Sequence, residues 1–171
     1  DESNNYYGTA IIGTVSGNTI SFGSEYVFNS ATTYDTSVSA LDSTHFVVAY
    51  QDGDSNYGSA IIGTVSGNTI SFGSEYTFNS ATTYWIDVAT LDSTHFVVAY
   101  KDSNGYGTAV IGTVSGTTIS YGSEYIFNSA GTSYISVSAL DSTHFVVAYQ
   151  DGGNSNYGTA IIGTVSGNTI S

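Results

Sequence analysis

Short runs rich in Val, Ile, Thr, Tyr and Phe fill this chain from end to end, and none spaces its apolar residues with the 3.6-residue period of a helix. Four kinds of run alternate. The first is small: SVSAL at Ser37–Leu41, DVATL at Asp87–Leu91 and SVSAL at Ser136–Leu140. The second is HFVVAY, apolar at every position after the His. Because neighbours along a strand point to opposite faces, such a run predicts a strand covered on both sides. The third, YGTAIIGTV, is two-sided through its Ala-Ile-Ile core. The fourth alternates, with Ile70, Phe72, Tyr76 and Phe78 set against Ser71, Gly73, Glu75 and Thr77, which predicts a half-exposed strand. Turn residues separate the runs: Asp42-Ser43-Thr44, then Gln51–Asn56, then Ser66-Gly67-Asn68, where Gly accommodates a tight hairpin. Connections this short predict antiparallel pairing.

The four runs form a unit, and the unit repeats. YGTAIIGTVSGNTIS at Tyr7–Ser21 returns almost unchanged at Tyr57, Tyr106 and Tyr157, and LDSTHFVVAY is identical at Leu41, Leu91 and Leu140. The chain is about three and a half copies of one unit of roughly fifty residues. A small first strand, two-sided middle strands and an alternating last strand suit sheets that converge on an axis, stack in the middle and meet solvent at the rim. On these residues the chain resembles the β-propeller proteins with blades of about fifty residues, which include bacterial and fungal lectins. No WD, kelch or Asp-box pattern ties it to a named subfamily. The resemblance implies an all-β fold of antiparallel four-stranded blades: a partial blade at 6–28, full blades at 35–78 and 85–127, and a partial blade at 134–171. A β-solenoid or a row of small sandwiches could carry the same repeat. About three blades fall short of the usual four, so the incomplete ring is expected to close by association, as a homodimer or a filament, unless the chain is a fragment of a longer array.

Composition narrows the partners. The 171 residues carry 14 Asp and Glu against a single basic residue, Lys101, for a formal net charge of −13. Without a Lys/Arg footprint, neither nucleic acid nor an anionic membrane surface is an expected partner. The absence of Cys removes disulfide and thiolate chemistry. The opening residues, DESNNYYG, have no leader pattern, and the acidic, Gly/Ser/Thr/Tyr-rich composition points to an extracellular location.

Three features are candidates for chemistry. Asp42, Ser43 and His45 contain the residue types of a catalytic triad, but within one turn that recurs at Asp92–His95 and Asp141–His144. A triad assembles from separate elements, so these residues read as turn formers and no catalytic residue is assigned. The loop QDGDSN places Asp52, Asp54 and Asn56 at alternate positions, as at the start of a calcium loop. It lacks the closing acidic residue, so calcium is the less favoured reading and no other cofactor is implied. Lastly, Asp35, Trp85 and Tyr134 occupy equivalent positions before each first strand, where the units differ most. Trp85, the only Trp, could stack on a sugar beside Asn79, Thr82 and Thr83; packing between blades or at a dimer seam is the preferred reading. Glu25, Glu75 and Glu124 are expected on the solvated face of the fourth strand. The repeat therefore suggests a non-enzymatic structural or adhesive protein assembling through its blades. The alternative is a multivalent, lectin-like carbohydrate binder, and a β-rich fibre built on AIIGTV is a third possibility.

Overall fold

In the second and third units both faces of the HFVVAY strand are buried, as its pattern requires; in the fourth, Val146 and Ala148 leave one face open. The computed structural model describes residues 5–171; the first four, on which the reading of a leader partly rests, lie outside the described residues. The first unit contributes β1 (Tyr7–Ser16) and the start of β2 (Thr19–Ala40). The second comprises the end of β2, then β3 (His45–Asp52), β4 (Tyr57–Ser66), β5 (Thr69–Phe72) and β6 (Tyr76–Thr82). The third comprises β7 (Tyr84–Asp92), β8 (His95–Lys101), β9 (Gly107–Ser115), β10 (Thr118–Tyr121) and β11 (Tyr125–Asn128). The fourth comprises β12 (Thr132–Ala139), β13 (His144–Asp151), β14 (Tyr157–Ser166) and the short β15 (Thr169–Ile170). Neighbouring strands pair antiparallel in chain order. The expected fourth strand breaks in two in the second and third units, at Gly73–Glu75 and Gly122–Glu124, with both pieces held by the same neighbour.

Successive sheets stack face to face. Val47, Ala49, Ala60 and Ile62 of the second unit meet Val88, Phe96, Val98 and Val110 of the third. The opposite face of the third, with Val97, Ala99, Ala109 and Ile111, meets Val137, Phe145 and Val147 of the fourth. The first strands stand side by side at the inner edge. There Asp87 accepts hydrogen bonds from Ser37 Oγ at 2.6 Å and Ser136 Oγ at 3.2 Å, joining three units. The first unit has only its outer two strands. Beside it Val38 is 65 % exposed where its counterparts Val88 and Val137 are buried, and a cleft of about 330 Å³ opens between Ile12, Phe28, Val38 and Val48. The described chain shows stacked sheets and no closed ring.

The fourth-strand glutamates Glu25, Glu75 and Glu124 are exposed, as expected, but two of them also reach a buried partner. The carboxylates of Glu75 and Glu124 turn inward. Each accepts the hydroxyl of a buried second-strand tyrosine, Tyr50 onto Glu75 and Tyr100 onto Glu124 at 2.6 Å. Burial first, then the hydrogen bond and charge of the glutamate, raise both hydroxyls far above the ordinary 10.0. Tyr121 is raised by burial and the charge of Glu75. The unfolded chain therefore gives up these protons first, so their contribution to stability is complete below pH 10 and falls as pH rises above it. In an alkaline titration we expect Tyr50, Tyr100 and Tyr121 to ionise only together with the loss of far-ultraviolet circular dichroism. Tyrosinate absorbance that reaches all 15 tyrosines before the β signal falls would refute this.

Candidate functional site

The positions where the units diverge lie together. Asp35, Trp85 and Tyr134 each sit at a left-handed backbone angle, with φ of 46, 54 and 54°. Each lies in a break of register at the start of an inner strand, between Tyr34 and Ser37, Tyr84 and Asp87, and Ser133 and Ser136. Left-handed backbone is uncommon for Trp and Tyr, and the bulge re-aims these side chains out of the regular pleat. Because the inner strands are neighbours, the three residues form a row. Asp35 Oδ2 accepts the Trp85 backbone N–H at 2.8 Å, and the Trp85 ring lies 4.5 Å from Tyr134, tilted by 51°. Trp85 thus touches the neighbouring unit yet stays 37 % exposed; Tyr134 is 64 % exposed. Tyr34 and Tyr84 flank the row and are also exposed. The result is an open aromatic platform with a carboxylate at one end.

Two of the three polar neighbours expected beside Trp85, Asn79 and Thr83, are otherwise engaged. Thr83 is fully buried; its hydroxyl donates to the Ala81 carbonyl at 2.8 Å and accepts from Asn79 Nδ2 at 2.9 Å. The same pairing joins Asn29 to Thr33 and Asn128 to Thr132, so it holds the crossover between units. Sequence reasoning also passed over Asp87, two residues beyond Trp85. Its signal was present: DVATL carries Asp where the other two first strands carry Ser.

The other candidates fall elsewhere. Asp52 accepts Ser55 Oγ at 2.7 Å and Asn29 Nδ2 at 3.4 Å. Burial raises its pKa, but these hydrogen bonds outweigh burial and leave it lowered. Asp54 is exposed, and Asn56 serves the loop through its backbone, its N–H donating to the Asp52 carbonyl at 2.7 Å. Among the described residues no three His, Cys, Asp or Glu side chains are grouped to hold a metal ion. In the Asp42 turn the carboxylate accepts from the Thr44 N–H at 2.6 Å, the Thr44 hydroxyl at 2.9 Å and the His45 N–H at 2.8 Å, and lies 2.9 Å from His45 Nδ1. Ser43 is not among these partners. The Thr44 N–H, then His45, hold the Asp42 carboxyl well below the usual carboxylate range, and the equivalent bonds lower Asp141 to about 2. This is a capped turn, built three times.

No protein-family model matches the chain, and no curated protein does. Solved structures do. NanB sialidase from Streptococcus pneumoniae, in complex with a chlorobenzylammonio-ethanesulfonate, matches with a TM-score of 0.62 at 17 % identity, over 90 % of this chain and 26 % of that one. A point mutant of the same enzyme gives 0.62 at 16 %, over 88 % of this chain and 25 % of that one. The intramolecular trans-sialidase from Ruminococcus gnavus, with oseltamivir carboxylate, gives 0.53 at 16 %, over 83 % and 33 %. The chain thus spans about a quarter to a third of these neighbours, and the likeness is one of fold: an all-β, propeller-type stack of antiparallel sheets. Among the described residues no helix is long and apolar enough to cross a membrane.

Proposed function

We propose that this chain is a non-enzymatic, extracellular carbohydrate-binding repeat protein that takes neutral glycans on the Asp35–Trp85–Tyr134 row. The carrying observation is that row: two exposed aromatic faces on adjacent inner strands, with a carboxylate beside them. Aromatic rings offer an apolar face to the C–H side of a sugar, and a carboxylate accepts its hydroxyls. Neighbours named as sialidases add weak support for a carbohydrate ligand. An anionic sugar is disfavoured, because the site holds an acid and the chain has one cationic side chain against 14 acidic ones. The structural or adhesive role remains the second reading, favoured by the exposed terminal sheets described next.

The test uses the only Trp as a probe. A neutral glycan selected on an array should shift Trp85 emission on binding, and Trp85→Ala should weaken binding at least tenfold with the circular dichroism spectrum unchanged. No binding across a broad array, or equal affinity in Trp85→Ala, would reject the reading.

A further inference from the structure

The two outermost sheets expose faces that match the two sides of an interface the chain already makes internally, the first unit supplying the outer-strand part of its side. In the fourth unit Leu140 is 58 % exposed and Ile162 is 62 % exposed, and Ala148 beside them is exposed. Their counterparts in the second unit, Leu41, Ile62 and Ala49, are 7, 0 and 0 % exposed, because the third unit covers them. The register agrees: Val146 pairs with Ile162 as Val47 pairs with Ile62. At the other end of the stack Ile11, Val15, Ile20 and Phe22 are 44, 69, 63 and 68 % exposed. They stand where the third unit places Val110, Val114 and Ile119, which are 0, 9 and 4 % exposed against the second unit, with Tyr121 packed on the same core.

We infer that these faces bind one another between copies of this chain, head to tail. The occupant of each face is a second copy, because the matching residues are those that already seal the second unit against the third. The contact is heterologous: the Leu140/Ile162 face of one copy covers the Ile11/Ile20/Phe22 face of the next. Such a contact closes into a ring or runs on as a filament. None of these face residues is charged, while the chain as a whole is strongly acidic, so salt that screens the mutual repulsion should promote association. The inference is independent of the glycan site, whose row lies at the inner strands.

The test is complementation between two full-length variants, Ile20→Asp and Ile162→Asp, each altered at an exposed position so that the fold is spared. Light scattering should show the native chain as oligomers. Each variant alone should fall to the mass of one chain, 17.8 kDa, with native circular dichroism. An equimolar mixture should recover a species of twice that mass and no larger, since each variant keeps one live face. A native chain that stays monomeric at every concentration and salt level overturns the inference. So does continued self-association of either variant alone, which would mean that a face pairs with itself.

Discussion

Phe96→Ala is expected to cost about 3–5 kcal/mol, the largest loss from any single truncation in this chain. Phe96 is fully buried at the junction of the second and third units, with its ring edge-on to Tyr121 at 6.3 Å and 89°. It lies directly across from Gly112 in the pairing of β8 with β9. The ring covers that glycine so closely that a Cβ there would stand 2.2 Å from its tip. Phe46 over Gly63 and Phe145 over Gly163 repeat the arrangement at the same distance. The glycine is therefore half of a cross-strand pair: the missing side chain is the space the ring fills. Gly112→Ala should consequently destabilise by about 1–3 kcal/mol through overpacking, and the F96A/G112A double variant should cost clearly less than the sum. Phe46→Ala should cost less than Phe96→Ala, because Phe46 is only half-buried. Urea unfolding of the native protein and the four variants measures all of this. A neutral Gly112→Ala, or additivity in the double variant, would show that the ring is free to move away and that the pairing is incidental.

Strand order and the apolar second strand were legible because they depend on local alternation and on turn residues, both of which repeat. The break in the fourth strand was not. TISFGSEYTF reads as one alternating run, yet it divides at Gly73–Glu75, where Glu75 turns in to meet the Tyr50 hydroxyl from two strands away. In the first unit, which has no second-strand tyrosine, the equivalent segment stays within the continuous β2. Alternation alone placed the glutamates in solvent; a partner about 25 residues away in sequence moved their carboxylates. The candidate site was half legible. Divergence between otherwise matching units singled out Asp35, Trp85 and Tyr134, but nothing local announced the left-handed backbone that aims them, nor that adjacent inner strands would set them in a row. Asn79 and Thr83 looked available for a ligand, but their mutual hydrogen bond, which holds the crossover from β6 to β7 and leaves no trace in the alternation, engages both.

Asp87→Ala is expected to lower stability by about 2–3 kcal/mol and to disturb the Asp35–Trp85–Tyr134 row at the same time. The carboxylate has one oxygen for each neighbouring unit. Oδ1 accepts from Ser37 Oγ at 2.6 Å, and Oδ2 accepts from the Val137 N–H at 2.8 Å and from Ser136 Oγ at 3.2 Å. The other first strands carry Ser in this place, and a hydroxyl is too short to bridge both sides; one longer acidic side chain in the middle unit serves the two serines flanking it. A second compensating change lies on the same strand, where Thr90 donates to Ser39 through its N–H at 3.1 Å and its hydroxyl at 2.9 Å. Removing the carboxylate leaves the Val137 N–H to water at a partly open inner edge, which limits the cost to less than a buried orphan would impose. Asp87→Asn should recover roughly half, because an amide has one acceptor oxygen and turns its NH₂ toward a donor on the other side. Trp85 is two residues away and stacks on Tyr134 of the unit that Asp87 holds. Loosening that unit should therefore move the emission maximum of Trp85 to longer wavelength and raise its quenching by iodide before any global unfolding. If Asp87→Ala melts with the native protein and leaves Trp85 emission untouched, the inner strands are held by backbone pairing and face packing alone, and the row owes nothing to the acid beneath it.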